Sequence, residues 1–117
     1  MADKPAAKKF WDADGDNTAQ AMKPSGGRIH YLHVLNSNTA QAFLQLFDAP
    51  AANVTVGTTT PALTFLIPGG DGTTDGAFEQ YFGVPIHFSA AITYACTTTR
   101  TGNGDPTTGL GVNALYD

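Results

Sequence analysis

Residues 28–35 read R-I-H-Y-L-H-V-L and end at a turn, N-S-N (36–38), from which Q-A-F-L-Q-L-F (41–47) returns. Neither apolar stretch repeats at the spacing of a helix, and each is about as long as one strand. A helix over 39–47 is an alternative, because Ala, Gln and Leu tolerate it, but the flanking turn residues favour a strand. The two stretches therefore predict successive β-strands.

The same pattern of short apolar stretches between turn residues continues along the chain. Short apolar stretches bounded by Gly, Pro, Asn, Asp and Thr occupy residues 62–67, 77–82, 86–94 and 111–116, and residues 18–23 suit a short edge strand. Such regular short strands are typical of sandwiches, so the predicted fold class is all-β, an antiparallel β-sandwich of jelly-roll type. We expect the last strand to pair inside a sheet.

Length and composition limit the possible classes of protein. A chain of 117 residues suits one domain. The net charge is −4 and the six Lys and Arg residues are scattered, which argues against a nucleic-acid partner. No stretch is long and apolar enough to predict a membrane span or an export signal. The single cysteine, Cys96, cannot form an internal disulfide, which fits folding in a cytoplasm.

The chain divides into an N-terminal arm, residues 1–17, and a β-sandwich domain, residues 18–117. The arm is polar and lacks the period of a strand or a helix, so it is predicted to be extended. Its exceptions are Phe10 and Trp11. Two large aromatic side chains in a polar segment are normally hidden against the domain, a neighbouring copy or another protein.

The run D-A-D-G-D-N in the arm is a weak candidate calcium loop, with Asp12, Asp14 and Asp16 as its alternating carboxylates. The sixth position of such a loop should be Gly and is Asn17, and the twelfth should be Glu and is Lys23. Because the closing bidentate ligand is missing, a solvated acidic turn is favoured. We therefore predict no metal and no cofactor.

Three histidines could be imagined as a zinc site, but His30 and His33 lie three positions apart, and on a strand they would project to opposite faces. Ordinary packing is favoured for these two and for His87. Cys96 is predicted to be a buried, inert thiol. Ser25, His30 and Asp48 have the residue types of a catalytic triad, but they can be picked out only after the fact. The sequence around the serine lacks the strand-to-helix nucleophile elbow. We predict no catalytic residues and no enzyme activity.

A surface for sugar stacking is the alternative use of such a domain. The loops 68–76 and 97–108 would present polar groups beside an aromatic platform. Most aromatic side chains in a domain of this size are needed to fill the core, which weighs against the platform. Its candidate residues are Tyr81, Phe82, Tyr94 and Tyr116.

Three stretches carry a resemblance to a known family: G-R-I-H-Y-L-H-V-L-N-S-N-T-A-Q-A-F-L-Q-L-F-D (27–48), V-G-T-T-T-P-A-L-T-F-L-I-P (56–68), and G-V-P-I-H-F (83–88) with A-I-T-Y-A-C-T-T-T (91–99) after it. In this order they resemble the small virion proteins of tailed bacteriophages. That family contains jelly-roll subunits that decorate or cement phage heads, commonly as trimers, or serve as small fibre and tail components.

The resemblance implies a structural role, which we state as an expectation. The chain would be a capsid decoration or cement protein that binds the outside of the head as a homotrimer and stabilises it. Its partners would be its own copies and the major capsid protein, with Phe10 and Trp11 of the arm as capsid contacts. It would be made in the host cytoplasm and reside on the capsid surface of the virion. A carbohydrate-binding module, or a small adhesion protein of the tail or fibre, is the alternative.

Overall fold

A computed structural model describes residues 6–117. Within this range the backbone forms eight strands and a single-turn 3-10 helix at Ala51–Asn53. No helix in the described range is long and apolar enough to cross a membrane. The strands are β1 (Lys8–Gly15), β2 (Gln20–Lys23), β3 (Gly27–Asn36), β4 (Ala42–Phe47), β5 (Leu63–Ile67), β6 (Gly76–Phe88), β7 (Ile92–Thr97) and β8 (Leu110–Tyr116).

The strands form two antiparallel sheets of four. Sheet A has the order β1-β8-β3-β6, and sheet B has the order β2-β7-β4-β5. The sheets pack face to face, so the predicted all-β class and β-sandwich are confirmed. Three expectations about single strands are confirmed too. The stretch at 41–47 is strand rather than helix, β2 lies at a sheet edge, and β8 lies between two neighbours.

The core lies between the two sheets, where alternate side chains of each strand meet. Its fully buried members come from both sheets. Partly buried Phe78, Phe82 and Ile86 of β6 close one side. The largest side chains in it are Ile29 and Leu32 of β3, Leu44 and Leu46 of β4, Ile92 and Tyr94 of β7, and Phe88 and Leu110.

A bulge of several residues in β6 interrupts the pairing of β3 with β6. Ile29 pairs with Ile86 and Tyr31 pairs with Tyr81, so a single β3 residue faces the four β6 residues 82–85. Gly83 and Pro85 therefore bend one long strand instead of separating two. The predicted division into strands 77–82 and 86–94 was wrong, because the chain actually turns at residues 89–91.

The two central strands of sheet B, β4 and β7, are buried on both faces, whereas the edge strands β2 and β5 are partly exposed. The outward-facing side chains of β4 include Phe43 and Gln45, which are as buried as those of the core. The loops after β4 and β7 cover this face. Gln45 Nε2 donates to Thr97 Oγ1 (2.8 Å) and to the Gly102 carbonyl (3.0 Å), and the Arg100 guanidinium lies 5.1 Å from the Phe43 ring centre. Polar, threonine-rich loops thus cover the outward side of the central strands of sheet B.

The N-terminal segment is built into sheet A. Lys8–Gly15 is strand β1, paired with β8 from Lys8↔Tyr116 to Asp12↔Val112, with a bulge before Gly15. The interpretation of residues 1–17 as an arm outside the sandwich is therefore not confirmed; residues 1–5 lie outside the described range. The strand was missed because its inward positions carry just one large apolar side chain, Phe10, followed by Asp12.

Asp48 fixes the turn between β6 and β7. Its carboxylate accepts hydrogen bonds from the backbone N–H groups of Ala90 (2.8 Å) and Ser89 (3.1 Å), and from Ser89 Oγ (3.1 Å). These donors, the Ala90 N–H first, lower the pKa of Asp48. The carboxylate does for this turn what a capping residue does for a helix end.

We expect Asp48→Ala to lower the free energy of unfolding by about 1–2 kcal/mol, because the backbone N–H groups of residues 89–91 and the Ser89 hydroxyl lose their acceptor. Urea denaturation at neutral pH measures this. The native pKa lies below the unfolded value of about 4, so the contribution is present above that pH and is lost as the pH falls through the native pKa. Asp75→Ala, at an exposed carboxylate, is the control. Equal stability of the two variants would contradict the assignment.

Candidate functional site

The outer face of sheet A is the side of that sheet turned away from the core. Three rows of side chains cross its strands in register. The middle row runs from Trp11 through Asn113 and His33 to Glu79. We use the name outer face for these positions: Lys9, Trp11, Tyr31, His33, Leu35, Glu79, Tyr81, Gly111, Asn113 and Leu115.

Two aromatic side chains on this face are largely exposed. Trp11 is 59% exposed and Tyr81 is 68% exposed, at opposite edges of the sheet. Tyr31 lies beside Tyr81, with ring centres 4.4 Å apart and planes tilted by 40°. Leu35 and Leu115 are half-buried between the edges. The face therefore offers apolar surface across its whole width, which is unusual for a sheet that no further layer covers within residues 6–117.

Gly111 determines how the Trp11 ring lies. A Cβ atom built at Gly111 would stand 3.2 Å from the Cη2 of Trp11 and 3.6 Å from the Cβ of Leu35. The missing side chain therefore lets the indole lie across β8 towards β3. At this end of the face a shallow cleft of about 230 Å³ opens, with Trp11, Leu35, Ser37 and Asp75 among its walls.

Polar groups between the aromatic residues are held in place. The Tyr31 hydroxyl donates to a Glu79 carboxylate oxygen, and Asn113 Nδ2 donates to the His33 carbonyl (3.2 Å). The bond to Glu79 is the main reason why the pKa of Tyr31 is raised to about 12. Exposed aromatic side chains interspersed with polar groups that are already hydrogen-bonded are typical of protein contact sites.

The two predicted contact residues lie on opposite sides of sheet A. The Phe10 ring points into the sandwich and meets the edge of the Tyr94 ring, with centres 5.5 Å apart and planes at 76°. Trp11, the next residue, points outward and is exposed. Of the pair, Trp11 alone is placed where another molecule can reach its side chain.

The three aspartates of the candidate calcium loop do not converge. Asp12 accepts from the Asp14 backbone N–H (2.9 Å) and from the Tyr94 hydroxyl, and Asp16 accepts from the Thr18 backbone N–H (2.9 Å). Between residues 6 and 117, no group of three or more His, Cys, Asp or Glu side chains is arranged to hold a metal ion. The carboxylates instead fix β1 and the turn after it.

The histidines take separate places. His30 Nε2 lies 3.2 Å from Asp117 Oδ2, and the same carboxylate receives both Nε (3.0 Å) and Nη2 (2.7 Å) of Arg28. His33 lies on the outer face and His87 opposite Arg28 on β6. These contacts tie the end of the chain to the start of β3.

The remaining reactive side chains are occupied or buried. Cys96 is buried, as expected, and burial followed by the nearby Asp12 charge raises the pKa of its thiol. Ser25, His30 and Asp48 share no hydrogen bond within the described chain, since His30 meets Asp117 and Asp48 holds the Ser89 turn.

The predicted platform residues do not form one surface. Tyr94 is buried, and Phe82 and Tyr116 pack partly buried on the core, so just Tyr81 belongs to the outer face. Sequence reasoning missed the role of Tyr31, Leu35 and Leu115. Their alternation was visible, but it did not show which side of the strands would stay uncovered.

No protein-family model matches the chain, and no curated protein matches it significantly. The resemblance to virion proteins of tailed phages stays a prediction.

We expect Glu79→Gln to bring the pKa of Tyr31 down from about 12 towards about 10, because the carboxylate that favours the neutral phenol is gone. Tyrosine ring signals followed by NMR across this pH range measure the shift. A raised native pKa stabilises the fold below the unfolded pKa of about 10, and this stabilisation is lost as the pH rises through about 12. Asp105→Asn is the control. An unchanged Tyr31 titration in Glu79→Gln would refute the hydrogen bond.

Proposed function

We propose that this chain is a structural protein of a tailed-phage virion, a decoration or cement protein that binds the outside of the head and stabilises it. Its partners are the major capsid protein and its own copies, and its role is not catalytic. The observation that carries the proposal is the contrast between the sheets. Loops cover the outer side of β4 and β7 at the centre of sheet B and leave exposed leucines only on its edge strand β5, whereas sheet A exposes Trp11 and Tyr81 beside half-buried Leu35 and Leu115 of its central strands.

The outer face suits repeated contact with a rigid shell. Its backbone belongs to four paired strands, and two of its side chains are fixed by hydrogen bonds, so docking orders little that is not ordered already. Aromatic residues such as Trp11 and Tyr81 are frequent anchors in protein interfaces. We assign the head contact to this face, with Trp11 as the anchor in place of the pair Phe10 and Trp11.

The connectivity supports a jelly roll. Strand pairs β1–β8, β2–β7, β3–β6 and β4–β5 are nested, as in one long antiparallel hairpin. The hairpin is rolled so that β3 also pairs with β8 and β4 also pairs with β7. Rolling a nested hairpin in this way gives two four-stranded sheets with Greek-key crossings, the arrangement used by capsid domains.

A homotrimer belongs to the proposal because the stretches at 27–48, 56–68 and 83–99 resemble a family whose head-decorating members are commonly trimers. Three copies joined together would bind the shell with three outer faces at once. Weak single contacts then add, since each further face binds at a high effective concentration after the first. The protein would reach the capsid surface after synthesis in the host cytoplasm.

The test is sedimentation with heads of the phage that encodes the chain, assembled without this protein. We expect the purified chain to sediment with heads and to saturate at a fixed copy number. The triple variant Trp11→Ala, Leu35→Ser, Leu115→Ser should bind at least about tenfold more weakly, because it removes the anchor and two neighbouring apolar side chains of the face.

The matched control is Leu63→Ser with Leu66→Ser, which removes two exposed leucines from the edge of sheet B. It should bind heads like the unchanged protein. Failure of the unchanged protein to saturate heads would refute the head-binding role. Equal losses in the triple variant and the control would refute the assignment to the outer face.

A glycan-binding module is the second candidate, favoured by the exposed rings of Trp11 and Tyr81, with the polar side chain of Asn113 on a strand between them and Glu79 two residues before Tyr81 on β6. Sugar rings stack on such aromatic faces. If this role is right, a soluble oligosaccharide titration saturates, and Trp11→Ala with Tyr81→Ala abolishes the binding. Titrations without saturation would dismiss it.

A further inference from the structure

The cleft at one end of the outer face has two apolar walls and one charged wall. It is bounded by the exposed Trp11 ring, half-buried Leu35 and exposed Asp75, with Ser37 and Thr108 also lining it. Its volume is about 230 Å³. A cavity of about 150 Å³ is large enough for benzene, so this cleft has room for one large side chain of a partner.

Asp75 gives this cleft a negative charge that no neighbouring cation of the described chain neutralises. It is the one ionisable side chain among the lining residues. Both ion pairs found within residues 6–117 use Asp117, so no described Lys, Arg or His lies at ion-pair distance from Asp75. Asp14 adds a second carboxylate beside the cleft, because a Cβ atom built at Gly109, another lining residue, would collide with Asp14 Oδ1.

The positively charged side chains of the described chain lie elsewhere. Lys9 is the closest to Trp11 in sequence, but it pairs with Leu115, whereas the indole leans along β8 in the other direction, from its partner Asn113 towards Gly111. The remaining four lie at the start of β1, at the end of β2, at the start of β3 and over the Phe43 ring of sheet B: Lys8, Lys23, Arg28 and Arg100. Carboxylates therefore dominate the electrostatic potential in the cleft. An anionic group would be repelled, and an uncharged group would cover Asp75 without pairing with it, which costs free energy.

We propose that this cleft binds a basic side chain of the partner protein, and that it prefers arginine to lysine. The planar guanidinium stacks on the Trp11 ring and donates hydrogen bonds to the Asp75 carboxylate. Its aliphatic stem lies against Leu35. A lysine ammonium is compact and more strongly hydrated, so it gains less from the ring.

The identity of the partner rests on the proposed function, in which the outer face meets the major capsid protein. The preference for a guanidinium belongs to this chain alone and is measured on the purified protein without heads. Trp11 keeps its role as the anchor of the outer face, because the arginine packs on its ring from the partner's side.

The first test is a titration of the purified protein with acetyl-arginine amide, the arginine probe, followed by NMR through the indole N–H of Trp11, the single tryptophan. We expect a saturating shift in the millimolar range, because one side chain supplies all the contacts. Acetyl-lysine amide should bind more weakly. Acetyl-citrulline amide, the citrulline probe, has nearly the same shape as the arginine probe but no charge, and it should give no saturating shift.

Variants of Asp75 test the charged wall. Asp75→Asn keeps the size of the side chain and removes its charge, so it should weaken binding of the arginine probe at least about fivefold. Asp75→Glu, which keeps the charge, should retain most of the affinity. Asp105→Asn removes an exposed carboxylate from the loop after β7 and should bind the probe like the unchanged protein. Circular dichroism establishes that each variant is folded.

Any of three results would overturn this proposal. They are the absence of saturation with the arginine probe, equal binding of the citrulline and arginine probes, and equal affinity of Asp75→Asn and the unchanged protein for the arginine probe.

Sedimentation with heads then examines the partner. Asp75→Asn should bind heads at least about fivefold more weakly than the unchanged protein, and Asp105→Asn should bind them normally. Heads that bind Asp75→Asn and the unchanged protein equally would contradict a basic capsid side chain in the cleft. Heads that bind neither would refute the proposed function, and the titration would still decide what the cleft binds.

Discussion

The contact between Phe10 and Tyr94 fixes the position of strand β1 in sheet A and the direction in which its side chains point. Successive side chains of a strand point to opposite faces, so an inward Phe10 requires an outward Trp11. The Tyr94 hydroxyl also donates to Asp12, which lets a carboxylate occupy the next inward position with its charge satisfied. One buried tyrosine thus holds β1 in sheet A and gives β8 a partner on its outer side.

The outward sides of the two sheets differ, because loops cover the centre of sheet B and leave the outer face of sheet A uncovered in the described chain. The central strands of sheet B lie beneath loop residues that are polar in sequence but hydrogen-bonded to buried groups, as in the hydrogen bond from Thr93 Oγ1 to the Ala49 carbonyl (2.6 Å). Sheet A receives no such layer in the described chain. The threonine-rich segments, which in sequence resemble exposed rims, are therefore structural covers, and the uncovered outer face of sheet A lies on the opposite side of the domain.

Most of the strands could be predicted because a short window of sequence shows an apolar or alternating stretch between turn residues. Residues 28–35, 41–47 and 111–116 alternate or run apolar between clear turn residues, and all three are strands. The errors arose where pairing overrides local signals. A bulge accommodates Gly83 and Pro85 inside β6, and a single inward aromatic with one satisfied aspartate suffices to build β1.

The candidate site was harder to predict than the fold. The sequence singles out Phe10 and Trp11 as a pair, but the neighbours of Trp11 on the outer face come from strands far apart in sequence. Tyr31, Leu35 and Leu115 look like core residues in any local window. Their exposure depends on which sheet face the loops cover, and no pattern within one strand contains that information.

Hydrogen exchange of the monomeric protein tests this account most directly. If Phe10 holds β1 against β8, amides of Lys8–Gly15 that pair with β8 should exchange slowly, with protection comparable to that of β8 itself. Exchange of Lys8–Gly15 at the rate of an unstructured peptide, with β3 still protected, would contradict it.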